Sequence, residues 1–311
     1  MARKSNASVY FEYMILRAVC LVIGACPYWL VCVLAKSAAR LVFSVLRINR
    51  KRTLERIAGV FPEKSSGEVK RIALMSMQNL FLTAVEMQRA DKLDKKWIER
   101  YVKDVQVYAA RLKEIVDEGK GVVIMVPHSG NWYMAAWAMA SFGVPLFAIA
   151  AKQRNPYVYA WMKRQYGERL EVLERGSAGT MREILSRLRK GKAFAILPDL
   201  RVPYRDTEVP FLNGTANVSH GGALFAVSAG CPIVVAIMRR SDGKHEFDHL
   251  ATLRPNPDAP DRKEEARRLM REAMALIDEG VRKTPEQWFW YNSRWILQPP
   301  KKRKKHKRCT A

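Results

Sequence analysis

In the stretch VPHSGNWYMA (126–135) a histidine follows an apolar run, opens a small polar turn and precedes a helical pattern. An imidazole in that place is a candidate general base, because its ordinary pKa lies close to neutrality and its two nitrogens can be given different tasks. There is no G-x-S-x-G elbow and no evident cysteine–histidine pair, so the pattern does not point to a nucleophile supplied by the protein. Ser129 adjoins His128, but sequence neighbours rarely meet as nucleophile and base. The indicated chemistry is removal of a proton from an acceptor hydroxyl, which then attacks an acyl carbonyl. Such a base ordinarily has a carboxylate to orient its ring and stabilise the imidazolium. Asp199, the last residue of AFAILPD (193–199), is a second site candidate by its position. Asn131, at the helix start, reads as a residue that holds the turn or donates to an oxyanion.

These residues need elements to carry them. GVVIMVP (121–127) is a short, β-branched apolar run of the kind buried on both faces of a sheet. PLFAIAA (145–151), LEVLE (170–174), AFAILPD and PIVVAIMRR (232–240) read as further strands. Helical patterns of about ten residues separate them: from Asn131 onward, 156–167 ending at Gly167, 179–191 closed by Gly191, and 219–230. Strands alternating with helices predict an α/β domain whose central, mostly parallel sheet is flanked by helices. Ligands bind such sheets beyond the carboxyl ends of the strands, where both His128 and Asp199 fall. Residues 64–90, with Ile72, Met75, Leu80 and Phe81, and 261–283 read as amphipathic helices. HEFDH (245–249) spaces two histidines four apart but also reads as a strand, and nothing else supports a metal site there.

The ends of the chain differ from its middle. Of 311 residues 49% are hydrophobic, and the formal net charge is +24, which favours an anionic partner. Residues 1–60 hold ten Lys/Arg against only Glu12 and Glu55, and KKRKKHKR (301–308) adds seven more. Residues 18–35 carry no charge, and Pro27 interrupts them. Two short apolar helices lying in a membrane interface fit this segment as well as a single span does. The expected organisation is a hydrophobic, basic membrane-associating region (1–60), an α/β domain (61–297) and a basic tail (298–311). The five cysteines match no zinc or disulfide spacing, which points to a reducing compartment.

Six blocks in order carry a specific resemblance: HSGNW, KQRNPYVYAWM, LERGSAGTMREILSRLRKGKAFAILPD, TEVPFLNG, the glycine-bearing helix with AGCPIV, and PEQWFWYNSRW. From about residue 10 to residue 297 the chain resembles the bacterial lipid A biosynthesis acyltransferase family, which includes phosphatidylinositol mannoside acyltransferases. The resemblance implies an O-acyltransferase at the cytoplasmic face of the bacterial inner membrane. It implies an acyl carrier protein or acyl-CoA as donor, a glycolipid acceptor and an anionic membrane as partners, and no metal or redox cofactor. His128 takes the place of the family's catalytic histidine. The acid expected five residues later is Tyr133, whose hydroxyl brings no charge to an imidazolium at neutral pH. Glu208, in TEVPFLNG, matches a glutamate of the mannoside branch and ranks first as the partner of His128, ahead of Asp199. Arg154 and Asn155 in RNP, Arg175 in RGS, and Arg201 after PD match or adjoin basic positions suited to phosphate, and join Asn131 and Tyr133 as the substrate-binding set.

Two other readings follow from the same residues. Tyr133 in the acid's place makes a catalytically altered or inactive lipid-binding homologue the first alternative. The basic ends make a nucleic-acid-binding protein the second, although no specific nucleic acid is expected.

Overall fold

The uncharged N-terminal segment breaks where proline dictates. Helix α1 (Asn6–Ala25) ends before Pro27, which stands at the N-cap of α2 (Tyr28–Leu41). A π-helical turn (Val42–Leu46) extends α2, and α3 (Arg50–Val60) follows. The computed structural model describes residues 6–89, 92–166 and 170–298; Gly167 and the basic run 301–308 lie outside them. Only 6% of the apolar window in α1 is buried, and 22% of that in α2 and its extension. Phe11, Ile15, Leu21 and Val22 on α1, and Trp29, Val33, Leu34 and Val45 beyond Pro27, are exposed. Both helices are long and apolar enough to cross a membrane, and by that criterion they are weak anchor candidates.

Helix α4 (Ser66–Gln88) is launched by a capping box, in which Ser65 and Glu68 satisfy each other's backbone donors. Of its expected apolar positions Ile72 is buried, whereas Met75 is exposed. Helices α5 (Lys95–Tyr101) and α6 (Val105–Asp117) lead into the sheet. The expected strands and helices then appear in sequence: β1 (Val122–Met125), α7 (Trp132–Ser141), β2 (Leu146–Ala150), α8 (Pro156–Tyr166), β3 (Glu171–Glu174), α9 (Thr180–Arg189) and β4 (Ala193–Ile196). A hairpin that the sequence reading did not anticipate, β5 (Thr207–Phe211) with β6 (Gly214–Val218), precedes α10 (Gly221–Ala229). Strands β7 (Ile233–Ser241) and β8 (Lys244–Leu253) and helix α11 (Arg262–Lys283) complete the order.

The six-stranded sheet has the order β3-β2-β4-β1-β7-β8, parallel throughout except for the β7–β8 pair. All four residues of β1 are buried, as a central parallel strand requires. Val123 and Met125 face one core with Ile184 and Leu188 of α9, Phe225 of α10 and the apolar stripe of α11. Val122 and Ile124 face the other, with Ala109 of α6 and Met134 and Ala138 of α7.

This order fixes the place of a ligand crevice. Strand β1 leads through α7 to β2, beyond β4; strand β4 leads through the hairpin and α10 to β7, on the far side of β1. Two adjacent strands whose connections depart in opposite directions leave a crevice at their carboxyl ends.

Candidate active site

His128 and Asp199 lie in that crevice. In the parallel register Met125 pairs with Ile196, and each strand ends there. Each chain runs three residues further, to His128 and to Asp199. His128 Nδ1 is 2.7 Å from Asp199 Oδ1, and the backbone N–H of His128 donates to Oδ2 at 2.8 Å. Trp288 Nε1 donates to the same Oδ2 at 2.9 Å. Burial pushes the Asp199 carboxyl up, but the His128 charge and the hydrogen bonds from His128 and Trp288 outweigh it and leave the carboxyl below its usual range. An ionised Asp199 accepts Nδ1–H, so the other nitrogen, Nε2, carries the free lone pair. The imidazole also lies against Trp132, with ring centroids 5.0 Å apart, and near Phe289.

The turn that carries His128 is tightly bound. Gly130 has φ +56°, and a Cβ there would lie 2.0 Å from the carbonyl oxygen of Met238, so only glycine fits. Gly130 N–H donates to the Gln287 carbonyl, and Phe289 N–H donates to the His128 carbonyl. The hydroxyl of Ser129 is buried and has no hydrogen-bond partner among the described residues.

His128 opens onto a cavity of about 1160 Å³. Its wall is mainly apolar and runs from the ends of β1, β2 and β4 past Met139, Met162, Phe225 and Phe247. His128, Trp132, Tyr133, Arg175 and Arg201 also line it.

The structure places the two candidate carboxylates differently with respect to His128. Glu208, expected first as the partner of His128, lies exposed on β5 and forms a 3.2 Å ion pair with Arg205. The strand alternates, with Thr207 and Val209 inward, so Glu208 faces outward. Asp199 is the carboxylate within hydrogen-bond reach of the imidazole, with Oδ1 2.7 Å from His128 Nδ1. Asn131 holds the turn: it is the buried N-cap of α7, accepting from Met134 N–H through Oδ1 while Nδ2 donates to Glu86. Asn155 is likewise an N-terminal cap, accepting from the N–H groups of Tyr157 and Val158 and donating to the Val9 carbonyl of α1. Arg154 is exposed and does not line the cavity. Arg175 and Arg201 do, and Tyr133 packs against Trp132 and Trp137 on the cavity side of α7.

Three contributors escaped the sequence reading. Trp288 was visible only as one of several tryptophans in the closing block. Glu86 and Arg240 sit in an amphipathic helix and at the end of an apolar strand, and a sequence does not say that they meet.

Fold and geometry together define a class: an α/β protein with a carboxylate-backed histidine at the wall of a large, mainly apolar cavity. The model of the bacterial lipid A biosynthesis acyltransferase family matches residues 1–296, and the chain belongs to that family. The protein is therefore an acyltransferase of the lipid A biosynthesis type. It is 26% identical over 269 residues to lipid A biosynthesis acyltransferase 2 of Shigella flexneri, covering 83% of this chain and 81% of that one. A lipid A biosynthesis acyltransferase of Haemophilus influenzae is 25% identical over 56% of this chain and 53% of its own. A phosphatidylinositol mannoside acyltransferase of Mycolicibacterium smegmatis is 22% identical over 59% and 60%.

Proposed function

We propose that the protein moves a fatty acyl chain from a thioester donor to a hydroxyl of a glycolipid such as a lipid A precursor, with His128 as the general base. The observation that carries this reading is the 2.7 Å contact of His128 Nδ1, at the cavity wall, with the buried Asp199 carboxylate behind it. Nε2 takes the hydroxyl proton as the oxygen attacks the thioester carbon. The tetrahedral intermediate collapses, the C–S bond breaks, and the imidazolium returns its proton to the leaving thiolate. Asp199 stays ionised throughout and stabilises the imidazolium. No covalent acyl-enzyme forms. The alternative of an inactive homologue rested on Tyr133, and a carboxylate arriving from the neighbouring strand supports the active reading instead.

The apolar cavity suits an acyl chain. Arg175 and Arg201 in its wall suit phosphate on the acceptor or on the donor's phosphopantetheine arm. A net charge of +24 favours an acidic acyl carrier protein over acyl-CoA as donor. The exposed apolar faces of α1 and α2, followed by Arg47, Arg50, Lys51 and Arg52, suit the anionic cytoplasmic face of the inner membrane.

The test is transfer of label from acyl carrier protein or acyl-CoA to total lipid extract by the purified protein and by His128→Ala. Transfer by His128→Ala at the wild-type rate sinks the mechanism. Release of the protein from membranes by nuclease, rather than by detergent, would favour the nucleic-acid reading.

A further inference from the structure

Helix α4 carries four polar side chains at helical spacing, Ser76, Asn79, Thr83 and Glu86, and all four are buried. They form one stripe along the helix. A polar stripe on a buried face is costly unless every group finds a partner. Here the partners belong to the two segments that hold the catalytic pair. Ser76 Oγ donates to the Trp288 carbonyl at 2.6 Å. Asn79 Nδ2 donates to the carbonyls of Gly130 and Gln287, both at 3.0 Å. Thr83 Oγ1 donates to the Gly130 carbonyl at 3.0 Å. Glu86 accepts from Asn131 Nδ2.

Glu86 is the hub of this stripe. Arg240, at the end of β7, donates to both of its oxygens, at 2.6 and 2.7 Å, and also to Asn79 Oδ1 and Thr83 Oγ1. Tyr28, from the first turn of α2, donates to Glu86 Oε1 at 2.6 Å. One carboxylate thus ties the exposed N-terminal helices, the sheet and the His128 turn together. Burial pushes its carboxyl up, but the Arg240 and His245 charges and their hydrogen bonds outweigh that and hold it well below the usual range.

We propose that Glu86 is a positioning residue of the active site: through Asn131, and through the Arg240–Asn79–Thr83 chain on Gly130, it sets the turn that presents His128, and through Tyr28 it makes the docking of α2 a condition of that geometry. The proposal rests on His128 being the base. Glu86 touches neither substrate nor the imidazole. A small displacement of the turn is enough to matter, since a misplacement of about 1 Å costs on the order of a hundredfold in rate.

The test measures kcat and KM with labelled acyl carrier protein and total lipid extract, together with Tm, for five variants. Glu86→Gln and Asn131→Asp are each expected to lower kcat by roughly 30-fold or more while KM moves less than about threefold. The double variant is expected to regain roughly tenfold of kcat, because the Gln amide nitrogen then donates to the Asp carboxylate while the Gln oxygen still accepts from Arg240. Tyr28→Phe keeps the ring against Trp97 and Tyr101 and removes only the hydroxyl, and is expected to lower kcat roughly three- to tenfold. A folded Glu86→Gln with wild-type kcat, or a double variant no better than the singles, overturns the proposal. Should Glu86→Gln fail to fold because Arg240 is left unpaired, wild-type kcat in both Asn131→Asp and Tyr28→Phe overturns it. His128→Ala separates the two levels. An inert His128→Ala beside a fully active Glu86→Gln overturns the positioning role alone, whereas a fully active His128→Ala overturns the general base and the positioning role with it.

Discussion

Asp199 reaches His128 because their strands are neighbours in parallel register: each residue lies three positions beyond the last pair, Met125 and Ile196. The two are 71 residues apart in sequence, yet the sheet leaves no freedom in how they meet. Asp199 is nearly inaccessible, and it accepts from the His128 backbone and from Trp288 as well as from the imidazole. It is thus held from three directions before any substrate arrives.

Asp199→Asn keeps the shape and removes the charge. An amide here can also hold the imidazole in the wrong tautomer. The expected loss in kcat is about 10³- to 10⁴-fold. Glu208→Gln, on the exposed strand β5, is expected to stay within about threefold of wild type, because its ion pair with Arg205 is solvated. Rates of acyl transfer for the two variants decide which carboxylate serves His128; the reverse order would restore Glu208.

Trp288→Phe removes one N–H donor from a buried carboxylate and keeps an aromatic ring against Phe211 and Trp290. A hydrogen bond to a charged group contributes about 1.5–3 kcal/mol. The variant is expected to lose stability of that order and to lower kcat with KM little changed. Chemical denaturation and steady-state kinetics check the two parts separately.

Asp199 and Glu86 are also expected to contribute to the loss of stability in acid. Both have folded pKa values below the ordinary carboxylate range, so between the folded value and about pH 4 the unfolded chain binds more protons than the folded one. Stability therefore rises with pH through that window, is fully present above it, and is lost as pH falls through the folded values. Denaturation midpoints measured from pH 6 down to pH 3 are expected to fall for the wild type. A folded Glu86→Gln is expected to be less stable at pH 6 and to show a shallower fall; an identical slope would mean that Glu86 binds protons alike in the folded and the unfolded chain.

Much of this architecture was legible in the chain. The run Val122–Met125 reads as a doubly buried strand because no position in it is polar, and Pro27 marks a helix break because its nitrogen cannot donate. The alternation that follows is local information, and so is the placing of His128 and Asp199 at strand ends. Which strand ends adjoin is not local. Without the order β4-β1, nothing local to either residue says that Asp199, and not Glu208, lies within reach of His128. The hairpin β5–β6 was hidden because its turn is Leu212–Asn213, both at positive φ, where Leu gives no turn signal; Asp242–Gly243 between β7 and β8 is a stronger one. The stripe Ser76–Asn79–Thr83–Glu86 was present as spacing, but it reads as a solvated face until burial is known.

The exposed helices admit a quantitative prediction. Phe11, Leu21 and Trp29 each leave a large apolar side chain in solvent. Burying such a side chain contributes about 1.5–3 kcal/mol. A basic residue near an anionic surface contributes about 1 kcal/mol, and that share is screened by salt. The apolar contribution of three such residues exceeds that of Arg47, Arg50, Lys51 and Arg52 together at high salt. The protein is therefore expected to stay on anionic phospholipid vesicles in 1 M salt and to leave them in detergent. Replacing Phe11, Leu21 and Trp29 by Ser should weaken vesicle binding by roughly 2,000-fold or more, as the sum of three such contributions requires. Sedimentation with vesicles measures both effects. Full release of the wild type by salt alone would mean that charge, and not the apolar face of α1 and α2, holds it at the surface.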